Sequence, residues 1–365
     1  KEQQMKFIHI ADVHLGANPS SGSAYSANRG KEIWNSLTRV VKACKEEKAE
    51  LLLIAGDLFH RQPLLRELKE VNDLFSILKE TQVVLIAGNH DYLKRDSYYR
   101  NFEWAKNVHM ILSSQISVVE LPELSAAVYG LSYYSREITE RLYDQAFPEK
   151  RQKYEILLAH GGDERHIPIH REKLRSLGYD YIALGHIHRP QDMDAGIGGA
   201  GRFSESRMAY SGALEPIDKN DTGAHGYILG ELTQEKCRIR FVSCALREYV
   251  HLEVTAEKNM TNRGLKKRIR EQIKALGAQN IYKVIVKGFH DPDILFDLTD
   301  MDTYGNIIDL VDKSKPAYDF KKLWAQNRGD LLGKYIESLM DYGEDSVEYL
   351  ALCEGVQALM ETRRG

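Results

Sequence analysis

LLLIAGDLFHRQ, residues 51–62, decides how this chain folds. An unbroken apolar run from Leu51 to Ala55 ends at a glycine, and Asp57 and His60 follow. A run that is apolar on both alternating faces is a strand buried on both sides, as in parallel sheets covered by helices. In open α/β sheets, functional groups collect where such strands end, in the crevice left by the loops. Taken alone, His60 reads as a loop histidine, packed or solvated at a turn.

The same pattern recurs along the chain. KFIHIAD (6–12), QVVLIAGN (82–89), AAVYGLSY (126–133), YEILLAHGG (154–162), DYIALGHIH (180–188), MAYSGAL (208–214) and GYILGEL (226–232) all read as strands. Amphipathic stretches from Trp34 to Glu47 and from Leu64 to Lys79 carry apolar residues at i, i+3 and i+4, which predicts helices. The alternation implies an α/β core. The later strands come closer together with less helix between them, which predicts a second, more antiparallel sheet and a layered sandwich.

At 365 residues the chain exceeds one small core. The polar, glycine-rich stretch from Asp194 to Glu205 reads as a surface loop. After Arg247 the character changes. EYVHLEVTA (248–256) and NIYKVIVKGF (280–289) flank the basic amphipathic NRGLKKRIREQIKALG (262–277), a small β-α-β unit. From Asp319 on no strand pattern remains. Leu332, Tyr335, Ile336, Leu339 and Met340 mark one helix, and an N-cap at Asp345 or Ser346 opens a second through Val347, Leu350 and Leu359. These helices either pack on the body or dock a partner helix. The expected divisions are 5–247, 248–318 and 319–365.

A net charge of −3 gives no global attraction to nucleic acid, so a DNA-binding surface would have to be a local basic patch. Cys44, Cys237, Cys244 and Cys353 show no CxxC spacing and read as reduced residues of a cytoplasmic protein. No apolar run approaches the roughly 20 residues of a membrane span, and the stretch from Lys1 lacks a secretory apolar core.

Strand exits carry the chemistry. They hold Asp12 and His14 (ADVHLG), Asp57 (AGDLFH), Asn89 to Asp91 (GNHD), His160 (LLAHGG), and His186 with His188 (LGHIH). In an extended segment residues i and i+2 face one side, so Asp12 with His14, and His186 with His188, are expected to address one point each. Seven oxygen and imidazole ligands are too many for one tetrahedral ion and suit two ions of higher coordination that share a carboxylate. Mixed O and N donors without thiolate favour Mn²⁺, Fe²⁺ or Zn²⁺. Such a pair generates a nucleophile from water and clamps a phosphate.

The ordered series D-x-H, GD, GNHD, H and GHxH, from Lys6 to His188, resembles the calcineurin-like metallophosphoesterase superfamily. The resemblance implies a four-layer α-β-β-α sandwich, with a small α+β cap domain and a helical tail here. It implies that Asp12, His14, Asp57 and His188 hold one metal. Asp57 as the bridge, Asn89, His160 and His186 hold the other. By the same resemblance His90 acts on the phosphate or protonates the leaving oxygen, and Asp91 orients its ring.

Many general phosphatases of the superfamily resemble GDxxD, whereas here the last position is His60. That spelling is similar to the SbcD family of DNA double-strand break repair nucleases, in which this histidine helps arrange the phosphate; among bacterial members the layout resembles the SbcD-like YhaO branch. The stretch Ala209 to Leu232 resembles the family's segment after the last ligand, with Tyr210-Ser211 before Gly212. The unit after Arg247 resembles the DNA-capping domain in position and size. The resemblance implies a Mn²⁺-dependent DNA nuclease, a 3′→5′ exonuclease with some single-strand endonuclease activity. It also implies a homodimer, and a tail that grips an SMC-like (SbcC-type) coiled-coil ATPase. Lys94, Arg95, Arg100 and Lys106, interleaved with Tyr92, Tyr98, Tyr99 and Trp104, read either as a DNA-tracking arm or as a solvated helix with core aromatics. Lys266, Lys267, Arg268 and Arg270 read either as a phosphate stripe or as an exposed helix face. Two rivals remain: a small-substrate phosphodiesterase using the same metals, and a non-catalytic adaptor for the ATPase.

Overall fold

Each apolar run becomes a strand whose two faces belong to different cores. The computed structural model describes residues 4–19, 25–194, 202–344 and 346–362. Two compact units divide the chain, Lys1–Tyr249 and Val250–Gly365.

The first unit runs β1 (Met5–Ile10), α1 (Ser26–Glu47), β2 (Leu51–Ala55), α2 (Leu65–Ser76), β3 (Gln82–Ile86), β4 (Val108–Met110), β5 (Ser117–Leu121) and β6 (Ala126–Gly130). It continues with β7 (Tyr154–His160), α3 (Arg171–Ser176), β8 (Tyr181–Gly185), β9 (Gln191–Asp192), β10 (Ser204–Glu205), β11 (Met208–Tyr210), β12 (Gly226–Leu232) and β13 (Cys237–Ser243). One sheet has the order β10-β13-β12-β1-β2-β3-β4 and the other β5-β6-β7-β8-β11-β9. β1 to β4 are parallel, as are β6, β7, β8 and β11.

Side-chain alternation builds the layers. In β2, Leu51, Leu53 and Ala55 enter the core between the sheets together with Phe7, Ile156 and Tyr181. Leu52 and Ile54 face the other way, against Ile33 and Leu37 of α1 and Leu68 of α2. Leu157 of β7 and Leu174 of α3 lie in the outer core of the second sheet. The result is an α-β-β-α sandwich whose last helical layer is thin, since α3 has only six residues. Truncating a residue such as Leu53, fully buried between the sheets, costs about 2–5 kcal/mol.

α1 begins at Ser26, well before the expected Trp34. Its first turns hold Arg29, a buried cation paired with Glu32 and Glu215, and hydrophobic periodicity does not register such a residue. The short strands β4, β5, β9 and β10 and the alternating β13 were not expected. Residues 195–201 of the glycine-rich stretch lie outside the described residues, while Ser204 and Glu205 pair with β13.

The second unit contains β14 (Tyr249–Ala256), α4 (Asn262–Leu276), β15 (Ile281–His290), β16 (Ile307–Asp312) and β17 (Lys315–Pro316), then α5 (Phe320–Gln326), α6 (Leu331–Leu339) and α7 (Val347–Glu361). α4 is capped by Thr261, whose hydroxyl accepts from the Gly264 amide, and buries Leu265, Ile269 and Ile273 against the sheet. Among the described residues the tail has three helices instead of the expected two. Ser346 caps α7, its hydroxyl accepting from the Tyr349 amide at 3.0 Å; Asp345 lies outside the described residues.

Candidate metal centre

Parallel pairing carries the strand-end loops to one edge of the sandwich. Beyond β1 and β2 the chains stay in register, with the Asp12, His14 and Leu15 amides donating to the carbonyls of Gly56, Asp57 and Leu58 at 2.9–3.1 Å. The backbone there is not extended. Asp12, His14, Asp57 and His186 have φ of 50°, 53°, 51° and 95°. Left-handed conformations at non-glycine residues cost on the order of 1–3 kcal/mol each and persist where surrounding structure holds them. The convergence of Asp12 with His14 therefore comes from two left-handed kinks, not from the expected alternation of an extended segment. Gly88 permits the crossing of loops, since a Cβ there would lie 2.2 Å from Asp57 Oδ1.

Of the sequence-predicted residues, Asp12, His14, Asp57, Asn89 and His160 are buried, while His60, His90, His186 and His188 are partly exposed at the mouth. Asp57 Oδ1 accepts the His90 amide at 2.8 Å. Its Oδ2 faces His14 Nε2 at 4.0 Å and His160 Nε2 at 3.5 Å. On one side, Asp12 Oδ1 lies 4.0 Å from His14 Nε2 and has no hydrogen-bond partner, although it is buried. His188 Nε2 lies 3.1 Å from His14 Nε2. On the other side, Asn89 Oδ1 sits 2.9 Å from His160 Nε2 and 3.1 Å from His186 Nδ1.

The protons on these rings dictate what the arrangement requires. His160 Nδ1 contacts the Ala55 carbonyl at 2.8 Å, and a carbonyl only accepts, so the ring proton sits on Nδ1. Its Nε2 then turns a lone pair toward Asn89 Oδ1 and Asp57 Oδ2, which are also electron-rich. Facing lone pairs in a buried site need a cation among them. Asp12 with His14 and His188, and Asp57 with Asp12 and His160, form groups able to hold one. These residues fit two divalent ions of borderline character.

Electrostatics give the same answer. Burial pushes Asp12 up to about 6 and Asp57 well above the usual carboxylate range. No lysine or arginine among the described residues pairs with either. Burial also holds His14 and His160 well below the ordinary imidazole value, that is, in the neutral form that ligates metal. The mouth histidines form a separate set. His60 and His90 stack with centroids 4.9 Å apart, and His60 Nδ1 is 3.4 Å from His14 Nδ1. Burial lowers His60 and brings His90 down to about 4.

One expectation needs correction, and one open alternative is decided for part of its residues. Asp91 does not orient the His90 ring: its oxygens accept from the Phe59 amide (3.1 Å), the Gly88 amide (2.8 Å) and the Tyr99 hydroxyl (2.8 Å). The His90 ring instead places Nδ1 3.1 Å from the His60 carbonyl oxygen. Nor are Tyr99 and Trp104 exposed platforms. Tyr99 is buried, and Trp104 packs on it and on Phe102. Arg100, itself exposed, donates to the carbonyls of Leu93 and Lys94, and Lys94, Arg95 and Lys106 are exposed as well. On α4, Lys266, Lys267 and Arg268 pair with Asp300, Glu271 and Glu257, as expected of an exposed helix face.

Sequence reasoning missed Asp163, Asp221, Glu215 and Arg136. Asp163 Oδ2 lies 2.7 Å from His186 Nε2, and Asp221 Oδ2 3.0 Å from His188 Nδ1. Against their partial burial, these imidazoles hold both acids below the usual range. Glu215 is fully buried, bound to Arg29 and Ser36, and anchors the segment that brings Leu214 against Asp12. Arg136 is an exposed cation whose charge reaches His60 and His90. Only the DERH and NDTG spacings hinted at the first two.

The sequence profile of the calcineurin-like phosphoesterase family matches residues 5–190. The uncharacterized metallophosphoesterase YhaO of Bacillus subtilis is 29% identical over 70% of this chain and 65% of its own. The DNA double-strand break repair protein Mre11 of Methanocaldococcus jannaschii is 29% identical over 60% of this chain and 58% of its own. The SbcD component of the SbcCD nuclease of Staphylococcus epidermidis is 26% identical over 58% and 61%. The chain thus spans roughly two thirds or less of the length of these relatives. With the strand-end cluster inside the matched region, the chain belongs to the calcineurin-like phosphoesterase family.

Proposed function

We propose that this chain is a Mn²⁺-dependent DNA nuclease of DNA end processing and repair, a 3′→5′ exonuclease with single-strand endonuclease activity. The observation that carries it is His60, stacked on His90 above His14 at the mouth of the centre. A carboxylate there would repel an incoming phosphodiester, and an imidazole does not. The kinship with Mre11 and with the SbcD component of the SbcCD nuclease adds support.

Asp12, His14, Asp57 and His188 would hold one cation, and Asp57, Asn89, His160 and His186 the other. When bound, the pair supplies Lewis-acid activation of water and neutralises charge on the phosphate oxygens. The His60 carbonyl keeps a proton on His90 Nδ1, so the neutral ring presents the Nε2 lone pair. An anionic phosphate laid against Nε2 favours the imidazolium, which then holds the proton the leaving oxygen needs. Asp91 fastens the loops that carry His60 and His90. Arg136 adds positive potential where the phosphate enters.

The test is degradation of end-labelled duplex DNA with Mn²⁺, and with other divalent ions in turn. Complete absence of cleavage with all of them sinks the proposal. Turnover of bis(p-nitrophenyl) phosphate does not discriminate. One observation favours a small-substrate phosphodiesterase instead: Lys266, Lys267 and Arg268 of α4 are paired with acids, Tyr99 is buried, and Trp104 packs against the core.

The α4 unit would cap DNA, and the tail would dock an SbcC-type SMC-like ATPase, for which Leu331 and Val347 offer side chains 68% and 77% exposed. Leu64 and Leu65, exposed at the start of α2, suit a homodimer. No helix among the described residues is long and apolar enough to cross a membrane, and a cytoplasmic location fits work on DNA.

A further inference from the structure

The two histidines of the turn after β8 are gripped by different acids through different ring nitrogens. His186 offers Nε2 to Asp163 at 2.7 Å, and His188 offers Nδ1 to Asp221 at 3.0 Å. A carboxylate only accepts, so each contact fixes a proton on the nitrogen that faces it. The opposite nitrogens, His186 Nδ1 and His188 Nε2, are left with lone pairs. They point to different halves of the centre, 3.1 Å from Asn89 Oδ1 and 3.1 Å from His14 Nε2.

We propose that Asp163 and Asp221 are positioning residues that lock His186 and His188 in opposite tautomers, so that one short turn supplies one nitrogen to each cation. This rests on reading the strand-end cluster as a two-cation centre. Both acids are themselves anchored. Asp163 Oδ1 accepts from the amides of residues 165 and 166 at 2.8 and 3.1 Å and contacts His166 Nδ1 at 2.9 Å. Asp221 Oδ2 accepts from the amides of residues 217 and 218, each at 3.0 Å. Neither carboxylate can leave its histidine without breaking a turn. An acid behind a ligating imidazole fixes its orientation and raises its basicity.

The full chain, labelled with ¹⁵N in its histidine rings, is studied metal-free at pH 8 by NMR, with His186→Gln and His188→Gln used only for assignment. The expected pattern is Nε2–H for His186 and Nδ1–H for His188; the same tautomer in both rings overturns the proposal. Equilibrium dialysis with Mn²⁺ provides the second readout. D163N and D221N should each weaken one of two bound equivalents by about 10–100-fold and leave the other unchanged. Unchanged affinity of both equivalents in both variants also overturns it. Wild-type protein that binds two equivalents with the expected tautomers but cuts no DNA supports this proposal and removes the nuclease reading. DNA cleavage with a shared tautomer does the reverse.

Discussion

Asp57 Oδ1 is committed to the His90 amide at 2.8 Å, and so Oδ2 alone faces His14 and His160. One carboxylate oxygen thus stands between the two halves of the centre with no lysine or arginine among the described residues to balance it. In Asp57→Asn the amide oxygen can keep the His90 contact while the buried charge disappears. The metal-free variant should be more stable than wild type by about 1 kcal/mol, a rise of roughly 2–4 °C in Tm. It should lose the stabilisation that Mn²⁺ gives the wild type, and DNA cleavage should fall at least ~10³-fold. Thermal scans with and without Mn²⁺ check this, and retention of two bound equivalents would refute the bridging assignment.

Metal affinity should depend on pH through the same carboxylates. Burial raises Asp12 to about 6 and Asp57 well above its usual range, so in the metal-free protein Asp12 binds a proton as pH falls through about 6, and Asp57 also does so above the ordinary carboxylate range. A cation must displace those protons, and each one displaced lowers apparent affinity by about tenfold per pH unit. Mn²⁺ affinity should therefore fall steeply as pH drops through about 6. Calorimetry in buffers of different ionisation heat would count the protons released. A flat profile from pH 5 to 8 would contradict the buried carboxylate pair.

His60→Ser separates binding of metal from handling of substrate. The His60 ring touches the centre only at the edge, 3.4 Å from His14 Nδ1, and stacks on His90. The variant should keep two equivalents of Mn²⁺ while DNA cleavage falls by about 10²-fold. Loss of a metal equivalent would instead make His60 a ligand in the trio it forms with His14 and His90.

These residues also show what could be read from the chain. The strands were legible because runs such as Leu51 to Ala55 serve two cores at once. The candidate site was legible because packing gives no reason for Asp57, Asn89 and His160 to end three such strands. Two kinds of information were not legible. Local backbone handedness is invisible in composition, so Asp12 and His14 converge by kinks that the spacing did not reveal. Partners brought in by topology are equally silent: Asp163 and Asp221 meet their histidines across 23 and 33 residues. Aromatics after GNHD had two uses, and burial decides for the core at Tyr99, whereas Tyr98 stays exposed.

Asp91 tests whether a residue beside the proposed proton donor His90 acts on it or only holds its loop. Its fully buried carboxylate is raised to about 6 by burial, against hydrogen bonds from Tyr99, Phe59 and Gly88 that favour the charged form. Tyr99→Phe removes one donor without touching His90. It should cost about 1.5–3 kcal/mol in stability, the usual worth of a hydrogen bond to a charged group. Asp91→Ala strands two buried amides and should cost more. Because the His90 ring rests on the His60 carbonyl, the pH dependence of DNA cleavage by Tyr99→Phe should overlay that of wild type at temperatures where both are folded. A shifted acidic limb in that profile would show that Asp91 bears on the ionisation of the centre, through Asp12 and Asp57, whose carboxyls its charge raises, or through His90.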